Sequence, residues 1–438
     1  MPQDAFSGPH LFGAIDPQAV SDMAWMSDVA YTKQGRPLAE LLAEQGWQPL
    51  GAGDLGLPAA SFDRLGYYDQ DDGQGFVAVK GGALAVVFRG SDEPSDLAKL
   101  AKSVFDQQEV VQDVRPVVHQ ALVWAEAHPE IGTVYITGQS LGGALAGDFA
   151  SSIDGLLRLS RPVQFQVVAF GSPGSEQDDR NDLTRSMLEV NHTGDPVPTD
   201  NLLGSRLEHH GGVAAIDLPL VPGASSLAEL GMQKQDDPAL LTEHDSEIYR
   251  GSTAVIAASP LYAYTTQGMS TAILGFSTDD SYSVAGAGAF TLGGGGNDTI
   301  YGSTGSDLLD GGDGDDLLFG EPDEVLLASV GGDPMLGGGD DVLAGGIGDD
   351  ALAGGGGRDV LVFAPAAGGG TDRVGGFTPG IDQLDVRAFP FTDFEAQVAP
   401  LIAPGSEGAV VSLSAAGGED VILAGLDAAS LGENDFLL

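Results

Sequence analysis

Apolar residues recur at helical spacing from Asp16 to Tyr31 and, more briefly, from Leu38 to Gln45, so the chain begins with two predicted helices. Two apolar runs follow, Phe76 to Val79 and Ala83 to Phe88, split by Gly81-Gly82 in the pattern of a hairpin of buried strands. Val110 to His128 then reads as a helix closed by Pro129, Thr133 to Thr137 as a strand, Leu141 to Leu157 as a helix and Phe165 to Phe170 as another strand. Strand, helix and strand in that order predict a mostly parallel sheet with both faces covered, an α/β domain.

From Gly293 the pattern changes to a period of nine that fits G-G-x-G-x-D-x-U-x, where U is a large apolar residue. Three units run from Gly293, Gly302 and Gly311, and three more from Leu336, Gly345 and Gly354, with an interruption from Gly320 to Met335. The U positions, Ile300, Leu309, Leu318, Leu343, Leu352 and Leu361, are expected to point inward as the core of an all-β parallel β-roll. Four segments result: an α/β domain over 1–255, a connecting segment over 256–290, the roll over 291–362 and a β-rich cap over 363–438. Ser252 to Ser283 carries few charges and reads either as a connector or as the first turns of the roll.

Composition narrows the chemistry. Sixty-four acidic residues against 18 basic ones give a formal net charge of −46, which repels polyanions and excludes nucleic acid as a partner. With no cysteine there is no disulfide, thiol catalysis or cysteine-ligated zinc. No apolar run is long enough to span a membrane. Asp4, Asp16, Asp22 and Asp28 precede the first basic residue, Lys33, the reverse of a cleaved secretory leader.

Gly138-Gln139-Ser140-Leu141-Gly142 is a G-x-S-x-G set directly after a predicted strand and before a predicted helix, the context that a nucleophile elbow requires. The turn holds a serine hydroxyl clear of the sheet, and the first amides of the helix point at the same place. A serine nucleophile needs a base, and the base an orienting carboxylate. Of seven histidines, His10 precedes the first element, His119 and His128 belong to the helix before the elbow, and His209-His210 look like strand-edge or loop residues without a matching carboxylate cluster for a metal. His192 is too near Asp195 in sequence to be an easy partner for it. In the serine, acid, histidine order of an α/β-hydrolase, Ser140, Asp195 and His244 fit as catalytic residues.

Val86-Val87-Phe88-Arg89-Gly90-Ser91, the GQSLGGALA run from Gly138, Phe170-Gly171-Ser172-Pro173, the HTGDPVP run from His192, and His244 followed by Tyr249 together resemble the class 3 (fungal-type) lipase family over most of residues 12–250. Gln139 departs from the family, which has histidine there. The resemblance implies an oxyanion hole of Ser91 and the amide of Leu141, with Arg89 structural. It also implies a mobile lid. Asp92 to Phe105 reads either as that lid or as a helix packed on the core, and Gly211 to Leu230 is a second candidate whose Val213 to Val221 run reads equally as a strand.

The nonapeptide region resembles the RTX (repeats-in-toxin) family. That resemblance implies structural calcium held through Asp298, Asp307, Asp316, Asp341, Asp350 and Asp359, with no cofactor for the chemistry. It further implies a secreted, extracellular protein passed by a one-step, type I export machinery that reads an uncleaved carboxy-terminal signal in the cap. The expected activity is hydrolysis of lipid esters, triacylglycerol or phospholipid, at a lipid–water interface. Two rivals stay open: a polyester hydrolase, and an exported calcium-binding adhesin with an inactive hydrolase fold.

Overall fold

The computed structural model describes residues 11–12, 14–32, 36–71, 73–90, 107–152, 159–173, 187–192, 212–217, 246–265, 269, 271–275, 279–284, 288–320, 339–365 and 370–438. The chain divides into two units, Phe12–Ile216 with Leu230–Ala258, and Ser259–Leu438 with Met1–Leu11 and Asp217–Glu229.

In the first unit the elements are α1 (Pro17–Thr32), α2 (Leu38–Ala43), β1 (Gln48–Pro49), α3 (Ala52–Leu55), β2 (Tyr68–Gln70), β3 (Gly73–Lys80), β4 (Ala83–Phe88), α4 (Gln107–Ala127), β5 (Thr133–Gln139), α5 (Leu141–Ser152), β6 (Gln164–Phe170), β7 (Leu188–His192), β8 (Gly212–Asp217) and α6 (Ser246–Ala258). The sheet runs β1-β3-β4-β5-β6-β7-β8, with β2 also on β3. The β3–β4 hairpin is antiparallel, and every pairing from β4 to β8 is parallel. The hairpin and the helix-strand alternation expected from the pattern are therefore present. Residues 212–217 take the strand reading of their apolar run.

Helices cover both faces. Val134 and Ile136 of β5 join one core with Val114, Val118, Leu122 and Ala125 of α4 and Leu145 and Phe149 of α5. Thr137, on the opposite side of the same strand, meets Ser27 of α1 at 3.4 Å between hydroxyls. α4 carries Pro116 inside it, which removes one helical hydrogen bond. The helix continues because Val110, Val114, Val117, Val118, Ala121, Leu122 and Ala125 form an uninterrupted buried face across the proline. No described helix is long and apolar enough to cross a membrane.

The second unit is a roll of short parallel strands. One sheet runs β9 (Thr271–Leu274), β11 (Phe290–Gly295), β13 (Leu308–Asp313), β15 (Val342–Ile347), β17 (Val360–Val362), β19 (Gln383–Asp385) and β23 (Phe436–Leu437). The other runs β10 (Ser281–Ser283), β12 (Thr299–Tyr301), β14 (Leu317–Phe319), β16 (Ala351–Ala353), β18 (Thr371–Gly375) and β22 (Asp420–Ala424) in parallel, then β21 (Gly408–Ser412) and β20 (Ile402–Pro404) antiparallel. Successive nonapeptides alternate between the two sheets. The six U residues are buried together between them, joined by Tyr282, Val374, Leu384 and Phe436. Residues 321–338 lie outside the described residues, yet β13 and β15 pair in register across that stretch, Leu308 with Val342 and Leu309 with Leu343.

Candidate active site and calcium sites

Ser140 sits in the single-residue turn between β5 and α5, with its backbone in the left-handed region at φ 57°. That conformation costs a residue with a Cβ roughly 1–2 kcal/mol, so something must hold it. Its N–H donates to Phe170 O at 2.9 Å, and its carbonyl accepts from the amides of Gly143 at 2.9 Å and Ala144 at 3.2 Å. The residue is thus tied to the end of β6 on one side and to the first turn of α5 on the other. The first amides of α5, beginning at Leu141, have no carbonyl one turn back and are available to a developing negative charge.

The glycines flanking the serine are there for close approach. A Cβ on Gly138 would stand 2.5 Å from the Gly142 carbonyl, and one on Gly142 would stand 2.5 Å from Phe88 O and 3.0 Å from Phe88 C. Both collisions are with backbone, which cannot swing aside. Gly142→Ala is expected to cost about 3 kcal/mol, read as a fall of about 10 °C in the unfolding temperature of the first unit in calcium-containing buffer. An unshifted transition would show that the turn is looser than this packing.

Arg89 has the structural role expected of it: its amide donates to Gln74 O at 3.0 Å and its guanidinium to Gln74 Oε1 at 2.6 Å, tying the end of β4 to β3. At the start of α6, Ser246 Oγ donates to Asp28 Oδ1 at 2.9 Å and Arg250 donates to Asp28 Oδ2 at 2.7 Å. Asp28 is 1% exposed, so this is a buried anchor that docks α6 on α1. Tyr249 packs edge-on to Phe170, the residue that accepts from the Ser140 amide. Ser91, Asp195 and His244 lie outside the described residues, as do the lid candidate 92–105 and, apart from the strand at 212–217, the second candidate 211–230.

In the second unit the six aspartates of the repeats are all buried. They form two columns. In one, each Oδ1 accepts the amide of the aspartate one turn earlier: Asp280 N to Asp298 (2.8 Å), Asp298 N to Asp316 (2.7 Å), Asp316 N to Asp350 (2.8 Å) and Asp350 N to Asp372 (3.2 Å). In the other, Ala289 N meets Asp307 (2.7 Å), Asp307 N meets Asp341 (2.7 Å), Asp341 N meets Asp359 (3.0 Å) and Asp359 N meets Asp382 (3.2 Å). A turn of the roll is 18 residues, lengthened to 34 where residues 321–338 intervene.

Asp280, Asp372 and Asp382 belong to these columns although the nonapeptide template does not reach them. Their units keep the aspartate and the large apolar residue two positions on, Tyr282, Val374 and Leu384, with only part of the glycine pattern: Gly275 before Asp280, Gly368 and Gly370 before Asp372, and Gly380 before Asp382. That D-x-U remnant was the available signal. The parallel ladders accordingly begin at Thr271 and run to Leu437, beyond the stretch in which the period can be read.

The other carboxylate oxygen is what a cation would need. Oδ2 of Asp298, Asp316 and Asp350 is buried and closes no hydrogen bond. A Cβ on Gly293 or Gly311 would strike the Oδ2 of Asp298 or Asp316, so the glycines leave open the space in front of that oxygen, next to the carbonyls of Gly311 and Gly345. Orphaned carboxylate oxygens beside backbone carbonyls form the hard oxygen set that calcium prefers. Burial, followed by the neighbouring carboxylates, pushes Asp298 up to about 7, and burial pushes Asp316 up to about 6 and Asp350 to about 7. These are carboxylates that need a positive charge to be ionised where they stand.

Comparison with known proteins agrees with both halves. Residues 108–202 match the class 3 lipase family, and residues 292–323 and 336–362 match the RTX calcium-binding nonapeptide repeat in four copies. The extracellular lipase LipA from Serratia marcescens shares the fold across 99% of this chain and 100% of its own, at 16% identity and a TM-score of 0.51. A triacylglyceride lipase from Rhizomucor miehei (15% identity, TM-score 0.35, 45% of this chain and 79% of that one) and lipase II from Rhizopus niveus (18% identity, TM-score 0.31, 45% and 80%) are more distant. A sequence comparison with curated proteins returns no match.

Proposed function

Because the chain joins a class 3 lipase region to RTX calcium-binding repeats, we propose that it is an exported serine esterase that hydrolyses the carboxylic esters of lipids through an acyl-enzyme. The observation that carries the reading is the left-handed backbone of Ser140 at a strand–helix junction whose glycines admit no side chain. The Ser140 hydroxyl attacks the ester carbonyl carbon, His244 takes its proton and passes it to the leaving alcohol, and Asp195 fixes the histidine tautomer. The amide of Leu141 and Ser91 stabilise the oxyanion, and water then releases the fatty acid through the same base. Triacylglycerol or phospholipid at a lipid–water interface is the substrate class.

The aspartates at 298, 307, 316, 341, 350 and 359 hold structural calcium between turns, and the hydrolysis itself uses none. The catalytic domain spans 1–255, the repeats 291–362 and the cap with its export signal 363–438, and the connecting segment 256–290 already carries β9 and β10, the first strands of the roll's two sheets. Low calcium inside the cell leaves the roll open for type I export, and calcium outside folds it.

A fluorophosphonate probe tests the assignment. Mass spectrometry should find one adduct, on the peptide containing Ser140 and absent from the Ser140→Ala variant. An unlabelled wild-type enzyme would instead favour a calcium-binding surface module.

Asp28 anchors the start of α6, two residues after His244 in sequence, and its proposed role is to position that histidine. Asp28→Asn leaves Arg250 without its buried anion and is expected to cost about 2–3 kcal/mol. The positioning role predicts more: kcat should fall about tenfold or more with KM little changed. A destabilised variant with wild-type kcat would leave Asp28 a purely structural residue.

A further inference from the structure

Three buried acidic side chains meet at the end of the repeats, one from a repeat and two from beyond them. Asp350 immediately precedes β16, Asp372 lies in β18 and Glu419 immediately precedes β22. β16 pairs with β18 and β18 with β22, all in parallel, so the three residues stand on successive rungs. One carboxylate oxygen from each lies within 4.8 Å of the others. Exposure is 2% for Asp350, 2% for Asp372 and 5% for Glu419.

Hydrogen bonding within the chain accounts for them only in part: Asp350 accepts the Asp316 amide, Asp372 accepts the Asp350 amide, and the Asp350 and Asp372 carboxyls also meet each other. Both oxygens of Glu419 and Oδ2 of Asp350 are buried without closing a hydrogen bond, although the amides of Gly348 and Gly370 lie near enough to Glu419 to favour its charge. Among the described residues, the basic side chains next to them in the cap are paired elsewhere. Arg373, next to Asp372, points to the other side of its strand and pairs with Glu407, and Arg387 pairs with Asp385. A cavity of about 330 Å³, lined in part by Asp310, Val362, Phe363, Asp372 and Glu419, adjoins the cluster and has room for ligand water.

We propose that Asp350, the last repeat aspartate of its column, joins Asp372 and Glu419 in a calcium site completed from beyond the nonapeptide repeats, one that fastens strand β22 of the cap to the last turns of the roll. Calcium is bound by oxygens at about 2.4 Å and accepts six to eight of them, so oxygens on opposite sides of the ion lie about 4.8 Å apart. The three carboxylates therefore fit within one coordination sphere, completed by carbonyls or water. Glu419 is what distinguishes this site: it comes from no repeat, and its longer side chain reaches back to Asp350 and Asp372 from the rung beyond them. The inference is independent of the esterase reading and takes from the repeats only the identity of the ion.

The test uses the full chain and counts calcium by equilibrium dialysis, alongside thermal unfolding with and without calcium. Glu419→Gln keeps the shape and removes the charge. It should bind one calcium fewer per chain, unfold in chelator no earlier than wild type, and gain less from added calcium. Hydrogen exchange at 420–424 should lose its calcium-dependent protection while β11 to β15 keep theirs. Wild-type stoichiometry and protection in Glu419→Gln would overturn the site. Asp298→Asn serves as the control within the repeats. If it loses a calcium and Glu419→Gln does not, only this inference fails; if neither does, the assignment of the repeat aspartates fails with it. Should Glu419→Gln not fold, Glu419→Asp decides: a site weakened about tenfold supports the proposal, and unchanged affinity overturns it. Fluorophosphonate labelling of Ser140 in each variant reports on the esterase reading separately.

Discussion

Replacing Ser140 by alanine is expected to lower kcat on a lipid ester by roughly 10⁵- to 10⁶-fold, the loss seen when a serine hydrolase loses its nucleophile. Because the substitution removes one oxygen and leaves the backbone bonds of the turn intact, unfolding temperature and calcium dependence should stay close to wild type. Ser140→Gly sharpens the test. Glycine is at ease at φ 57°, so this variant should be equally inactive yet slightly more stable, by about 1 kcal/mol. Inactivity combined with stabilisation is the mark of a residue held in strain for its chemistry. An Ser140→Ala enzyme that still turns over ester at a hundredth of the wild-type rate would put the nucleophile elsewhere.

The elbow was legible in the sequence because its demands are local: a strand, a tight turn and a helix, with glycines where backbones touch. The hairpin from Phe76 to Phe88 and the inward leucines of the roll were legible for the same reason, since a period of two or of nine shows within a few residues. Local pattern misses what distant segments do to one another. A proline inside a helix ordinarily weakens it, and the helix read from Val110 to His128 runs on through Pro116 because its buried face continues on both sides. Asp372 keeps only a partial repeat pattern and Glu419 is unremarkable in sequence, and strand pairing across 22 residues in one case and from β18 to β22 in the other brings them to Asp350. Asp28 likewise gains a role only through Ser246 and Arg250, 218 and 222 residues away.

Removing calcium at neutral pH is expected to produce the largest change in stability. With chelator at pH 7.5 the roll should melt tens of degrees lower than with millimolar calcium, or lack a cooperative transition altogether, because its buried carboxylates then face one another uncompensated. The pH dependence follows from the raised values of about 7 at Asp298, 6 at Asp316, 7 at Asp350 and 8 at Asp372. Between about pH 4 and pH 8 the calcium-free folded state holds protons that the unfolded chain has given up, so its stability falls as pH rises through that window. Each carboxylate raised by about three pH units contributes up to ~4 kcal/mol to that fall. Acidifying chelated protein to pH 5 should therefore restore part of the folded signal in circular dichroism. Calcium reverses the sign by favouring the charged form, so its binding should release protons, and the heat of binding should change with buffer ionisation enthalpy. Stability in chelator that rises from pH 5 to pH 8 would contradict this account.

In the roll each of the six repeat aspartates takes an amide of the turn before it and lends its own to the turn after. Such a stack behaves as a one-dimensional chain in which each link meets only its neighbours. Damage is then graded by position: a fault near either end trims the stack, whereas the same fault halfway along leaves two fragments, each too short to stand alone. Tolerance to mutation should be lowest around Asp316 and Asp341 and rise outward in both directions.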